Sequence, residues 1–263
     1  MELQSRVEDI QRQGLGLVAI SYDASEILKK FADSRGITFP LISDRGSAII
    51  KRFGLLNTTV APGTATYGIP FPGTFIVDRR GIVRSRHFEI AYQERSTVAS
   101  VLVARGVTPF GPASTVETAH LSLTAAISDQ IVAPGERVSI VFEISPKPGM
   151  HVYAPGEHTY QVVRVSLDPQ PWMRTHAVKY PSSETYHFKP LDERVEVYQK
   201  PFRLVQEVTI LAAAQELVAS SSELTITGRL EYQACDDKLC YTPQVVPVRW
   251  VLPLRSLDRR PPG

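Results

Sequence analysis

The stretch Leu224-Thr-Ile-Thr-Gly-Arg-Leu-Glu-Tyr232-Gln-Ala-Cys235-Asp-Asp-Lys-Leu-Cys240-Tyr-Thr-Pro243 carries the chain's only two cysteines. Residues 224–232 are β-rich, and residues 245–254 offer a second strand, so the cysteines fall on the hairpin between them. A four-residue turn sets Cys235 opposite Cys240, where facing Cα atoms lie about 4.5–5.5 Å apart, within reach of a disulfide. Three readings of the pair stand open: a redox couple, a structural staple, and metal ligation or inert thiols. Closing so short a loop removes only about 2 kcal/mol of unfolded-state entropy, little for a domain of this size. Zinc needs about four ligands, and a lone C-x4-C with no second cysteine pair and no histidine nearby falls short.

Outward from this hairpin, short β-rich runs recur at 120–124, 137–144, 162–167, 195–198 and 203–210, punctuated by proline and glycine. One helical stretch interrupts them near 212–217. Strands at this density over residues 120–255 point to an antiparallel sandwich. The first 106 residues are patterned differently. Leu3, Val7 and Ile10, ended by Gly14, make the apolar stripe of a helix. Residues 16–21 are an apolar run suited to a buried strand, and Asp23 with Glu26 resembles a capping box for a helix carrying Ile27, Leu28 and Phe31. Residues 39–43 give another strand, and a helix over 47–53 is stopped by Gly54. Residues 74–78 and 82–86 flank Arg79-Arg80-Gly81 as a hairpin, and 93–104 reads as a closing helix. This order predicts an α/β domain over 1–106. Residues 107–119, with Pro109, Gly111 and Pro112 and no hydrophobic period, read as a linker, and 256–263 as a disordered tail.

Composition narrows the partners. The 263 residues are 43% hydrophobic and 21% charged, enough for two globular domains. A balance of 29 basic and 27 acidic residues, net +2, gives no electrostatic reason to invoke nucleic acid or an anionic membrane surface. No apolar run approaches the roughly 20 residues of a membrane span, and Met1-Glu-Leu-Gln-Ser-Arg lacks a signal-peptide profile. The six histidines show no metal-ligand spacing, and neither a Gly-x-x-x-x-Gly-Lys loop nor a Gly-x-Ser-x-Gly elbow is present. No cofactor and no metal are expected.

Two resemblances sharpen these expectations. Tyr67-Gly-Ile-Pro70-Phe-Pro72-Gly-Thr74-Phe-Ile-Val-Asp78-Arg-Arg-Gly81, in its β/α setting, resembles the redoxin branch of the thioredoxin/peroxiredoxin superfamily, the alkyl hydroperoxide reductase and thiol-specific antioxidant group. The resemblance implies a thioredoxin-like fold and a cis-proline site at Pro72 and Thr74, where a cis bond presents backbone edge-on to a substrate. It also implies a reactive cysteine on the first turn of the first core helix, where the helix dipole favours thiolate. Residues 1–105 hold no cysteine. Met1 falls inside the helix in question, so the expectation is either a natural start upstream of Met1 or a degenerate redoxin without thiol chemistry.

Residues 115–255 resemble the immunoglobulin-like amino-terminal domain of bacterial transmembrane thiol:disulfide interchange proteins of DsbD type. The residues that carry this are Val132-Ala-Pro-Gly-Glu136, Gly149-Met-His-Val-Tyr-Ala-Pro155, Asp192-Glu193 leading to Val197-Tyr198, and Tyr232 through Pro243. By that resemblance Cys235 and Cys240 pass electrons to and from a thioredoxin-like redox protein, which the redoxin half of the same chain could itself supply. Pro190-Leu-Asp192-Glu193 corresponds to a loop capping the pair, and Tyr232 and Tyr241 become candidate shields. Asp236 and Asp237 disfavour thiolate while Lys238 partly offsets them, which suits a relay attacked by a more reactive partner thiol. Serine at position 240 is then expected to trap a mixed disulfide on Cys235. The leading expectation is a thiol-disulfide oxidoreductase. Its alternatives are a peroxiredoxin-type peroxidase in a fuller parent protein, and a non-catalytic interaction module with a structural disulfide. The compartment stays open: periplasmic by the relay resemblance, cytoplasmic by the sequence as given.

Overall fold

The computed structural model describes residues 2–64, 67–88, 94–188 and 192–256. The chain divides into two compact units between Leu102 and Val103.

In the first unit α1 (Glu2–Ser5) and α2 (Val7–Arg12) precede β1 (Ala19–Ser21), α3 (Ser25–Arg35), β2 (Leu41–Ser43) and α4 (Ala48–Arg52). Then come β3 (Gly73–Val77), β4 (Val83–Phe88), β5 (Arg95–Ser96) and α5 (Val98–Val103). β1 and β2 pair in parallel across α3, with Ile20 opposite Ile42, the β-α-β step read from the sequence. The strand over 16–21 was expected to be buried. Instead Ile20 and Ile42 are 37% and 40% exposed, because this two-stranded sheet leaves one face uncovered. The capping box does not form either. α3 starts from Ala24 with no side-chain cap, and Asp23 Oδ2 accepts a 2.6 Å bond from Ser21 Oγ.

The hairpin of β3 and β4 follows its turn residues. Asp78 Oδ1 accepts from the backbone N–H groups of Arg80 and Ile82, and Gly81 takes a φ of 79°, open to glycine without a Cβ penalty. The closing helix is shorter than the 93–104 reading: α5 begins at Val98 behind the short strand β5, and residue 93 lies outside the described residues. The Pro72 expectation is corrected. No peptide bond among the described residues is cis, so the bond into Pro72 is trans. Phe71 N–H donates to Leu55 O at 2.7 Å and the chain enters β3 at Gly73, an extended path that the favoured trans isomer continues.

The second unit is almost wholly β. Its strands are β6 (Ala113–Glu117), β7 (Leu121–Ile127), β8 (Glu136–Pro146), β9 (His151–Tyr153), β10 (Arg164–Leu167) and β11 (Met173–Lys179). They continue with β12 (Glu184–Phe188), β13 (Glu193–Tyr198), β14 (Phe202–Ile210), then α6 (Ala214–Ser220), β15 (Glu223–Tyr232), β16 (Ala234–Cys235) and β17 (Gln244–Pro253). β11, β14, β8, β7 and β6 lie side by side in that order in one sheet, and β10, β15 and β17 form a second. Leu123, Ile140 and Phe142 of the first sheet share one buried cluster with Ile226, Leu230 and Trp250 of the second. Phe142 meets Trp250 edge-on at 5.9 Å. This is the two-layer sandwich read from the strand spacing. Each such fully buried side chain contributes roughly 1.5–3 kcal/mol, which makes this core the rigid base on which the cysteine hairpin stands.

The stretch read as linker, 107–119, contains β6. Its backbone pairs with β7 from Ala113 opposite Ala126 to Glu117 opposite Ser122, while four of its five side chains face solvent. An edge strand of that kind has no hydrophobic period to announce it. The expected tail, 256–263, lies outside the described residues from 257 onward.

Candidate functional site: the Cys235–Cys240 cleft

A third sheet, of order β12, β13, β9 and β16, carries the site. Ala234 pairs with Val152 and Cys235 with His151, while Val197 of β13 pairs with Tyr153 from the other side. Residues two apart on a strand share a face, so His151 and Tyr153 point to the same side of β9. Tyr153, Val195, Val197 and Cys235 form a small buried cluster separate from the main core, with Tyr160 and Tyr186 packed against it.

Cys235 and Cys240 are joined in a disulfide, their Cα atoms 4.1 Å apart. The turn between them is built by Asp236. Its Oδ1 accepts the backbone N–H groups of Lys238 at 2.8 Å and Leu239 at 2.7 Å, and its Oδ2 accepts the Tyr241 hydroxyl at 3.0 Å. An aspartate that bonds its own turn in this way mimics a backbone turn and fixes the bend locally. The backbone bonds from Lys238 and Leu239, then the Tyr241 bond, hold the Asp236 carboxyl below its ordinary value. Outside the bend, Tyr241 N–H donates to Ala234 O at 2.9 Å, closing the hairpin.

The disulfide forms one wall of a cleft of about 270 Å³. His151, Tyr153, Tyr160 and Tyr186 line it with Phe188, Glu193 and Val195, and Asp236, Lys238 and Leu239 border it from the turn. The two cysteines are placed unequally: Cys235 is 1% exposed, whereas Cys240 is exposed and Leu239 beside it is 58% exposed. The Tyr153 hydroxyl stands 3.0 Å from Cys235 Sγ and 3.3 Å from Cys240 Sγ. Burial, and the neighbouring Tyr160 and Glu193, push that hydroxyl well above the usual tyrosine range, so it stays protonated. Burial pushes the His151 imidazole down, against the opposing pull of Asp236, so it favours the neutral form.

Of the expected site residues, the structure brings Cys235, Cys240 and Glu193 together in the cleft and places the others elsewhere. Tyr232 is fully buried in the main sandwich core, its hydroxyl donating to Thr118 Oγ1 at 2.9 Å, so its contribution is packing and not shielding. Tyr241 packs against His120 at 4.4 Å and braces the turn from behind through Asp236. Asp192 is an exposed turn residue with a φ of 51° whose Oδ1 meets His187 Nε2 at 2.7 Å, outside the cleft lining. Pro190 lies outside the described residues. Pro72 and Thr74 belong to the first unit, Thr74 opposite His87 in the β3–β4 hairpin. The sequence reading missed His151, Tyr153, Tyr160 and Tyr186. The run from His151 to Tyr160 is rich in aromatic rings, and that density was the available signal. Among the described residues no group of three or more histidine, cysteine, aspartate or glutamate side chains is arranged to hold a metal ion.

Comparison with known proteins gives separate matches for two parts of the chain. Residues 1–86 match the AhpC/TSA family model, and residues 121–249 match the model of the thiol:disulfide interchange protein DsbD, N-terminal. The chain is 34% identical over 87 residues to a peroxiredoxin of Aeropyrum pernix, 30% of this chain and 32% of that protein. It is 32% identical over 85 residues to alkyl hydroperoxide reductase E of Mycobacterium tuberculosis, 32% of this chain and 51% of that protein. The chain thus spans about half the length, or less, of these curated relatives. Among solved structures, the N-terminal periplasmic domain of ScsB from Proteus mirabilis overlaps 53% of this chain and 50% of its own, at 16% identity and a TM-score of 0.37. The N-terminal domain of Neisseria meningitidis DsbD overlaps 44% of this chain and 75% of its own, at 16% identity and a TM-score of 0.28. A segment that matches the AhpC/TSA family model over residues 1–86 is thus followed by a β-rich region that matches the model of the thiol:disulfide interchange protein DsbD, N-terminal, over residues 121–249.

Proposed function

We propose that the second unit relays electrons by reversible opening of the Cys235–Cys240 disulfide, with a thioredoxin-like dithiol protein as its exchange partner. The observation that carries this is the unequal placement of the two sulfurs at the mouth of a cleft: one is accessible, the other buried beside a hydrogen-bond donor. A structural staple has no use for an exposed sulfur, since closing a short loop stabilises little.

The chemistry follows from that geometry. A partner thiolate attacks the accessible Sγ of Cys240, the Cys235–Cys240 bond breaks, and Cys235 leaves as thiolate while a mixed disulfide forms on Cys240. The partner's second thiolate then attacks its own sulfur in that mixed disulfide and expels Cys240. Two electrons and two protons pass from the partner dithiol to the pair, and the reverse sequence returns them. In this reading the mixed disulfide forms on Cys240, whereas the sequence alone led to an expectation of Cys235.

The test is the reduction potential of the pair in glutathione buffers, with exchange against a thioredoxin-like protein bearing a Cys-x-x-Cys site. A potential among those of known exchangers, roughly −270 to −120 mV, together with exchange supports the relay. One below about −300 mV with no exchange marks a structural bond and overturns it. The AhpC/TSA match over residues 1–86 supports a second reading, in which a fuller protein reduces peroxide and this unit recycles its peroxidatic thiol. Peroxide consumption by that fuller protein, abolished when Cys235 and Cys240 are both replaced, is the outcome that reading requires.

A further inference from the structure

Tyr153 spends its hydroxyl on two weak acceptors. The residue is 3% exposed, and the hydrogen-bond partners of its hydroxyl among the described residues are the sulfurs of Cys235 and Cys240. A buried tyrosine O–H ordinarily finds a strong oxygen acceptor, and disulfide sulfur is a poor one. A thiolate is different: a hydrogen bond to a charged acceptor is about twice as strong as a neutral one. The hydroxyl is therefore well placed for the opened state of the pair and poorly rewarded in the closed one.

The ring is also held. Tyr160 stacks on Tyr153 with centroids 4.2 Å apart and planes 2° from parallel, and the Tyr160 hydroxyl donates to Glu193 Oε2 at 2.7 Å. Glu193 opens β13, the strand that pairs with β9 through Val197 and Tyr153, so anchor and braced ring stand on neighbouring strands.

Resting on the relay reading above, we propose that Tyr153 is a catalytic residue whose hydroxyl receives the negative charge on Cys235 when the disulfide opens, and that Tyr160, anchored by Glu193, is the positioning residue that keeps it there. When partner thiolate attacks Cys240, the electron pair of the broken S–S bond stays on Cys235 Sγ. The Tyr153 O–H turns fully to that sulfur and donates to it without losing its proton. The other ionisable groups around this sulfur are His151 and His158 beside the Tyr153 ring, the phenols of Tyr160 and Tyr186, Asp236 and Lys238 on the turn, and Glu193. Asp236 and Glu193 oppose a thiolate by charge and Lys238 favours one, while among the described residues the Tyr153 phenol is the side-chain donor within hydrogen-bonding distance of this sulfur.

The test uses the full chain with Cys240→Ala, so that Cys235 titrates alone and its thiolate is read by ultraviolet absorbance against pH. Adding Tyr153→Phe keeps the ring and its stack and is expected to raise the Cys235 pKa by about one pH unit or more, a tenfold loss of thiolate at a given pH below it. Adding Tyr160→Phe instead, which frees the ring from Glu193, raises it by less, and that rise disappears in the Tyr153→Phe background. An unchanged titration with Tyr153→Phe overturns the Tyr153 role, and a Tyr160→Phe effect that persists in that background overturns the brace. Exchange of the unaltered chain with a thioredoxin-like dithiol is measured alongside. Its absence sinks the relay itself, whereas normal exchange with an unmoved titration sinks only this inference.

Discussion

Cys235 and Cys240 are bonded to one another with Cα atoms 4.1 Å apart, yet the first is buried and the second open to solvent. The bend built by Asp236 turns one sulfur toward β9 and leaves the other at the rim. Attack direction follows from access. With Cys235→Ser, a thioredoxin-like partner lacking its resolving cysteine is expected to accumulate as a mixed disulfide on Cys240. With Cys240→Ser the yield should fall by about an order of magnitude, since thiol–disulfide exchange depends on access to the sulfur. Non-reducing electrophoresis and peptide mass mapping read both. Equal trapping by the two variants would contradict the assigned direction.

Asp236 acts on the geometry of the bend through two backbone bonds and the Tyr241 hydroxyl. Replacing it with alanine removes all three, and reoxidation of the reduced pair is expected to slow by roughly threefold to tenfold. Asparagine retains the Oδ1 acceptor and should restore most of the rate. Stopped-flow reoxidation with oxidised glutathione distinguishes the two variants.

His151 gives a pH dependence whose sign is set by its burial. Its folded pKa lies below the ordinary value of 6.5, so the unfolded chain takes up a proton first as pH falls. The corresponding stability is intact above pH 6.5 and is lost as pH drops from there toward the lowered folded value. Thermal unfolding across that window should show a falling Tm that flattens in His151→Gln. The carboxyls of Asp236 and Glu207, both held below their ordinary values, lose their contributions only at more acid pH.

Tyr232 separates packing from shielding. Tyr232→Phe forfeits the bond to Thr118 and is expected to cost about 1 kcal/mol in denaturant unfolding, with exchange rates unchanged. Truncation to alanine should cost about 3–5 kcal/mol, the usual penalty for emptying an aromatic site in a core. A change in the pair's reduction potential on Tyr232→Phe would return this residue to the redox site.

Much of the architecture is legible in the sequence. The strands at 121–127, 136–146, 202–210, 223–232 and 244–253 each bury alternate or continuous apolar residues, and such patterns are visible in one dimension. β9, β12 and β16 were missed. They are three, five and two residues long, too short to show a hydrophobic period along the chain. The four strands that hold the cysteine site include all three of these, so the aromatic lining of the cleft was hidden for the same reason. Conversely, Tyr232 and Tyr241 lay close to the cysteines in sequence and were credited with shielding, although strand alternation turns Tyr232 into the opposite core.

By itself the sequence determined that two sulfurs five positions apart meet across a bend, since Asp236 and the flanking strands make that closure a local matter. It also determined an α/β half followed by a sandwich, because hydrophobic periodicity is a property of neighbours along the chain. Only the tertiary structure decided which sulfur is reachable and what faces it. Burial and the approach of Tyr153, 82 positions from Cys235, depend on side chains brought together by sheet pairing, and no local pattern encodes that distance.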